Sequence, residues 1–269
     1  GAKGKAVRPS KIKAKLQRNE PVLLTTLHFT DPSVFELTSL LGFDGIWMDL
    51  EHHGYSLETA MTLMRAARVG GADILARPAK GEFMRLGRML EAGAQGILYP
   101  RCDDAAEARQ VVTWAKFAPL GRRGYDSGNP DVPYSSMPMD AYVRAANEQT
   151  FVAVQIEDQN AVANARAIAA VEGVDVLFFG PADFTVLSGI PGQFDHPRVQ
   201  EAVRAVADAT RQTGKHWGMP CTGPEQARQL MEMGARFLAY GADITFVKTA
   251  LEEVQRRFKP LGFTFDNRL

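Results

Sequence analysis

Eight short apolar runs recur along the chain, each followed by a segment of helical period, and few folds accommodate that alternation. The runs occupy residues 22–27, 45–50, 74–76, 96–99, 151–156, 174–179, 217–219 and 237–240. Several are apolar at successive positions, the pattern of strands covered on both faces. Between them the spacing changes. In 197–213, Val199, Ala202, Val203 and Val206 fall at i, i+3, i+4 and i+7, with Asp195 or His196 as the cap and Gly214 as the stop. Thr222 precedes Pro224 and Glu225 in a capping-box arrangement. Strands separated by amphipathic helices predict a parallel sheet, and eight units in one undivided chain predict a closed (β/α)8 barrel. An open doubly wound sheet is the second choice, but no G-x-G-x-x-G follows the first strand.

The barrel is expected over residues 21–258, behind a basic tail and leading helix at 1–20 and before a tail at 259–269. Lys3, Lys5, Arg8, Lys11, Lys13, Lys15 and Arg18 against the single acid Glu20 suggest a solvated helix running out of a frayed end. Across the chain 31 basic residues balance 31 acidic ones, so nucleic acid is not the expected partner. No apolar run approaches the ~18 residues of a membrane span, and no membrane partner is expected. Cys102 and Cys221 make no disulfide framework and lack CxxC spacing, which suits a reducing cytoplasm. The stretch 119–138, rich in Gly, Pro, Asp, Asn and Ser, is long for a connector and reads as a candidate functional loop.

In such a barrel the reacting groups belong at the carboxyl ends of strands. The residues there are His28; Asp49, Glu51 and His52; Arg77; Arg101; Gln155 and Glu157; Asp183; Cys221; and Asp243. Gln155 and Glu157 are two apart and share one side of their strand. Asp183 follows one strand–helix unit later, so the two carboxylates can meet over the mouth. Two carboxylates with no lysine in reach share a proton or a metal, and two oxygen ligands suit Mg2+ or Mn2+. The alternative is a pair of rim acids solvated or paired to Arg77 and Arg101. His52 is placed for a general base, with His53 beside it as the competing choice. Arg77, held at the rim by Pro78, suits a carboxylate or an enolate oxygen, or else neutralises Glu157 and Asp183. A Schiff-base mechanism is disfavoured, because Lys80, Lys116, Lys215 and Lys248 fall in loops or helices. A zinc hydrolase is disfavoured too, since strand one offers Leu27-His28-Phe29 without a second histidine.

Taken together these segments resemble the HpcH/HpaI aldolases, class II pyruvate aldolases of the phosphoenolpyruvate/pyruvate superfamily. The resemblance is carried by Gly42-Phe43-Asp44-Gly45-Ile46-Trp47-Met48-Asp49-Leu50-Glu51-His52, Ala76-Arg77-Pro78, Leu90-Glu91-Ala92-Gly93-Ala94, Val154-Gln155-Ile156-Glu157 and Gly180-Pro181-Ala182-Asp183. It spans about residues 12–258 in the right order. It implies a divalent metal (Mg2+, Mn2+ or Co2+) on Glu157 and Asp183. His52 is then the base and Arg77 the stabiliser of the transition state, with Asp49 in the catalytic group. Glu91 stands where the family has an aspartate that raises the basicity of the histidine. Gln155, Gly180, Pro181, Ala182, Asp183 and Arg77 are the implied substrate contacts. The loop keeps Gly121-Arg122-Arg123-Gly124 but departs at Tyr125-Asp126-Ser127-Gly128-Asn129-Pro130, a stretch expected to choose the aldehyde.

The implied reaction is reversible cleavage of a 4-hydroxy-2-oxo acid to pyruvate, or a related 2-oxo acid, and an aldehyde. The implied assembly is a homohexamer, a trimer of dimers, whose last helix is exchanged between subunits. Two other readings stay open: a related pyruvate-enolate decarboxylase or acyl-CoA lyase, and a barrel that binds a metabolite without catalysis.

Overall fold

A computed structural model describes residues 7–269 of the protein. Its elements run α1 (Lys11–Gln17), β1 (Val22–Leu27), α2 (Pro32–Leu40), β2 (Gly45–Asp49), α3 (Leu57–Ala67), β3 (Asp73–Arg77), α4 (Leu86–Ala92), β4 (Gly96–Tyr99), α5 (Ala105–Ala115), α6 (Met139–Gln149), β5 (Phe151–Ile156), α7 (Gln159–Ala163), α8 (Ala165–Ala169), β6 (Val176–Phe179), α9 (Pro181–Leu187), α10 (Pro197–Thr213), β7 (His216–Pro220), α11 (Pro224–Glu232), β8 (Phe237–Ala242) and α12 (Asp243–Phe258). All eight strands pair in parallel in sequence order, and β1 pairs with β8 to close a (β/α)8 barrel. The apolar runs place every strand to within two residues.

Alternation along each strand sorts the core into two layers. Outward residues such as Ile46, Met48, Ile74, Ile97, Val152 and Leu177 pack beneath the helices. Inward residues Leu24, Trp47, Leu75, Leu98, Phe151, Phe178 and Phe237 fill the barrel itself. The filling is tight: a Cβ on Gly96 would stand 2.2 Å from the Phe151 ring. Glycine is therefore required there for volume rather than for backbone freedom.

The leading helix differs from its expected solvated form. Ile12 and Leu16 of α1, at i and i+4, insert into the open base of the barrel and are buried with Leu24, Leu75 and Phe151. Each contributes about 1.5–3 kcal/mol of burial free energy. The basic residues have specific partners: Arg8 donates to the Ala72 carbonyl, Lys13 to that of Thr150, and Lys15 to the Asp44 carboxylate. Asp73 accepts from Ser10 Oγ (2.5 Å), Lys11 N (3.1 Å) and Ile12 N (2.9 Å), anchoring the start of α1 to β3. Lys3 and Lys5 lie outside the described residues.

At other ends the local chemistry is as expected or nearly so. The His196 side chain caps α10, and Gly214 ends it at φ +69°. The box at Thr222 closes differently: Gln226, not Glu225, reaches back to the Thr222 N–H, because α11 begins one residue later than a Thr222 cap requires. The last helix, α12, rests mainly on β1, β8 and the short turn Lys259–Leu261. It leaves Phe246, Val247, Leu251 and Val254 exposed. Among the described residues no helix is long and apolar enough to cross a membrane.

Candidate active site

Parallel closure brings the carboxyl ends of all strands to one pole, where a cavity of about 900 Å³ opens. Its walls include His52, Arg77, Gln155, Glu157, Gly180, Pro181, Ala182 and Asp183. Residues drawn from β2, β3, β5 and β6 thus converge although up to 131 positions separate them in the chain.

Glu157 follows β5 directly and is only 3% exposed. Its Oε1 accepts from Gln155 Nε2 at 2.9 Å, and its Oε2 from the Arg101 backbone N–H at 2.9 Å. Burial first, and the like charge of Asp183 in the first turn of α9 second, raise its pKa to about 7. No cationic side chain pairs with either carboxylate among the described residues; the nearby guanidiniums are otherwise engaged. Neither acid is therefore the ion-paired rim group of the alternative reading, and Asp183 stays partly open to solvent. Room for the carboxylate comes from Gly180, where a Cβ would lie 2.1 Å from Glu157 Oε1. Two carboxylates facing one cavity, Glu157 already oriented by Gln155 and the Arg101 N–H, fit a hard divalent cation with positions left for water and substrate.

Arg77 ends β3 and is buried. Its Nη2 donates to Asp49 Oδ2 at 2.6 Å and its Nε to Asp49 Oδ1 at 3.0 Å, a bidentate pair. Burial works against the Asp49 charge, but the Arg77 bonds outweigh it and hold the Asp49 pKa below the usual carboxylate range. A third donor, Nη1, reaches Gln155 Oε1 at 3.2 Å. Gln155 is therefore fixed at both ends, accepting from Arg77 and donating to Glu157. The guanidinium also lies 4.6 Å over the Trp47 ring.

The two histidines separate. His52 lines the cavity and lies 3.5 Å from Glu51 Oε2. His53 turns the other way, with Nε2 3.9 Å from Asp49 Oδ2 and its ring stacked on His28 at 3.9 Å between centroids. His28, Asp49 and His53 offer ligand atoms within 4.8 Å of one another, a second grouping able to approach a metal ion. It fits a cation less well than the carboxylate pair does. Stacked imidazoles direct their lone pairs side by side instead of at one point, and Asp49 is already held by Arg77.

Glu91 is not brought to His52. It sits near the end of α4, half-buried, and its charged neighbours are Arg123, Asp126, Asp131 and Arg88. Helices of this fold run back from the mouth, so a residue in the last turn of α4 faces away from it. The 119–138 loop lies on the same side, joining the end of α5 to α6. Its Pro130 carbonyl accepts from Arg68, and Arg123 is buried between Asp131 and the Tyr142 hydroxyl. None of the loop lines the cavity of its own chain.

Sequence reasoning placed Glu51 at the mouth but gave it no role. It is buried and stands 3.4 Å from Arg77, 3.4 Å from Arg101 and 3.5 Å from His52, a hub linking three site residues. The signal was available: Glu51 is two residues beyond Asp49, so it continues the inward side of β2.

The chain as a whole resembles known proteins. The profile of the HpcH/HpaI aldolase/citrate lyase family matches residues 27–250. A hydroxypyruvate/pyruvate aldolase from Delftia acidovorans is 34% identical over 240 residues, covering 89% of this chain and 88% of that protein. A 4-hydroxy-2-oxo-heptane-1,7-dioate aldolase from Escherichia coli is 32% identical over 247 residues, covering 92% and 94%. The crystal structure of an HpcH/HpaI aldolase from Desulfitobacterium hafniense superposes with a TM-score of 0.87 at 28% identity, covering 92% of this chain and 96% of that one. Sequence and fold agree: the chain belongs to the HpcH/HpaI aldolase/citrate lyase family.

Proposed function

We propose that the protein is a divalent-metal-dependent aldolase, a carbon–carbon lyase that reversibly cleaves a 4-hydroxy-2-oxo acid into pyruvate, or a related 2-oxo acid, and an aldehyde. The observation that carries this reading is the buried Glu157 beside Asp183, paired with no cationic side chain among the described residues and facing Arg77 and His52 across one cavity. Glu157 and Asp183 would hold Mg2+, Mn2+ or Co2+. When bound, the ion supplies Lewis-acid withdrawal of electrons from the keto oxygen of the substrate.

The remaining work falls to the chain. Arg77, fixed by Asp49 and Gln155, presents a preorganised positive charge to the keto oxygen as negative charge develops there. His52 takes the proton of the C4 hydroxyl as the C3–C4 bond breaks, and the electron pair passes to the enolate of the departing 2-oxo acid. Glu51, 3.5 Å from His52 Nε2, orients its ring. The enolate regains a proton at C3 to give the 2-oxo acid. The Gly180-Pro181-Ala182 segment lines the cavity beside Asp183 and forms the wall against which the acid lies.

The direct test is exchange of pyruvate methyl protons into deuterated water, followed by NMR with each ion. Exchange that needs the metal, stops on chelation and is lost in Glu157→Ala supports enolate chemistry; no exchange with any of the three ions overturns it.

The exposed apolar side of α12 supports assembly into a homo-oligomer, a hexamer with exchange of that helix, which light scattering tests. Two buried thiols, Cys102 and Cys221, with no disulfide between them suit a cytoplasmic setting.

A further inference from the structure

The turn that follows β4 is strained at one point. There the chain passes through Arg101, whose φ of +44° lies in the left-handed region that residues with a Cβ avoid. Both backbone groups of Arg101 are held in that conformation. Its N–H donates to Glu157 Oε2 at 2.9 Å, and its carbonyl accepts from Lys80 Nζ. The Arg101 side chain is 46% exposed, with Nη2 3.4 Å from Glu51 Oε1, so the peptide is more firmly placed than the guanidinium. Lys80 comes from the neighbouring turn, three residues past the end of β3.

Lys80 is itself aimed by a closed set of bonds. Its Nζ also donates to Asp103 Oδ2 at 3.0 Å and to Glu107 Oε2 at 2.9 Å. Glu107 accepts in addition from the Asp103 N–H at 2.8 Å and the Tyr99 hydroxyl at 2.7 Å, and that hydroxyl accepts from the Gly81 N–H at 2.9 Å. The set joins the turn after β3 to the turn after β4, and through the Arg101 peptide it reaches Glu157. Neither Lys80 nor Arg101 lines the cavity, so any effect of theirs on a bound ion passes through that carboxylate. Of the two donors that orient Glu157, Gln155 is fixed from within by Arg77. The other, the Arg101 N–H, depends on a backbone that must be kept left-handed.

We propose that Lys80 is a positioning residue for the metal site: by holding the Arg101 carbonyl it keeps Arg101 left-handed, and so keeps the Arg101 N–H on Glu157. This rests on the reading of Glu157 and Asp183 as the metal ligands. Without the ammonium, Arg101 relaxes towards negative φ and its N–H turns off the carboxylate. Glu157 then loses one of its two orienting donors and is free to rotate. Groups that orient a metal ligand in this way change metal affinity by about ten- to a hundredfold when removed.

The test is titration of the full chain with Mn2+ alone, read by the electron paramagnetic resonance of the free ion. Lys80→Met, which keeps the stem without the charge, is expected to raise the Mn2+ Kd about tenfold, whereas Lys80→Arg, which keeps a charged donor, stays within about threefold of wild type. Arg101→Gly separates the peptide from the side chain, because glycine adopts positive φ at no steric cost. Alone it leaves the Kd within about threefold, and added to Lys80→Met it recovers about threefold or more of the lost affinity. Thermal unfolding confirms that each variant folds. A lysine that only joins two loops would lower the melting temperature of Lys80→Met and leave its Kd unchanged. Wild-type affinity in Lys80→Met, or a double variant that binds no more tightly than Lys80→Met, overturns the proposal and leaves the metal reading standing. No Mn2+ binding by wild type, or binding indifferent to Glu157→Ala, overturns both.

Discussion

Two buried carboxylates lie at opposite poles of the barrel. Burial raises both, Asp73 to about 6 and Glu157 to about 7. Asp73 receives three donors from the start of α1, so its own chain satisfies it. Glu157 receives two donors but also stands against the like charge of Asp183. The first arrangement closes the base of the barrel and asks for nothing more. In the second, repulsion persists until something positive arrives, which is the arrangement of a binding site. Burial alone does not distinguish structural from functional acids; the sign of the neighbours does.

That contrast breaks most visibly by mutation. Glu157→Ala should lower metal-dependent proton exchange by about a thousandfold or more while leaving the melting temperature nearly unchanged, since a buried repulsive charge is removed. Equal loss of exchange and stability would make Glu157 another Asp73. Next in size is Arg77→Lys, expected to cost about a hundredfold in kcat because one ammonium cannot bridge Asp49 and Gln155 as the planar fork does. Steady-state kinetics with pyruvate held saturating reads that loss in kcat rather than KM.

At the other pole the effect moves to stability. Asp73→Ala should cost about 3 kcal/mol by denaturant unfolding, because three donors lose their acceptor, with kcat within about twofold of wild type. The pH dependence has a definite sign. The native Asp73 pKa, about 6, lies above the unfolded value near 3.9. Its contribution is therefore fully present below about pH 4 and is lost as pH rises through about 6, a change of about 3 kcal/mol. The stability difference between wild type and Asp73→Asn across that window isolates it. The smallest effect is expected for Glu91→Gln. With no hydrogen bond among the described residues and Arg123, Asp126, Asp131 and Arg88 as its charged neighbours, it should change kcat by less than about twofold, whereas a true dyad partner would cost about a hundredfold or more.

What could be read from the residues followed the period of the backbone. Continuous apolar runs marked the strands, and the two-residue spacing of Gln155 and Glu157 placed both on the inward side, where they bond to each other at 2.9 Å. Asp183 was legible because it opens the helix after an apolar strand. The base of the barrel was hidden because α1 is short and mostly lysine, so Ile12 and Leu16 look isolated until the opening they fill is formed by other strands. The motif implied a role for Glu91 beside His52, whereas within the chain its charged neighbours are Arg123, Asp126, Asp131 and Arg88; a motif fixes order along the chain but not direction around a helix. The His28–His53 stack joins residues from two strand ends, and no local pattern announces it.

The central claim is that Glu157 and Asp183 together grip one divalent ion. Anomalous diffraction at the manganese edge, from crystals grown with Mn2+ and pyruvate, tests it most directly. The account predicts a single strong peak within about 2.3 Å of oxygens from both carboxylates, with pyruvate density beside it on the Arg77 side. A peak at His28, Asp49 and His53 instead, or none between Glu157 and Asp183, would contradict it.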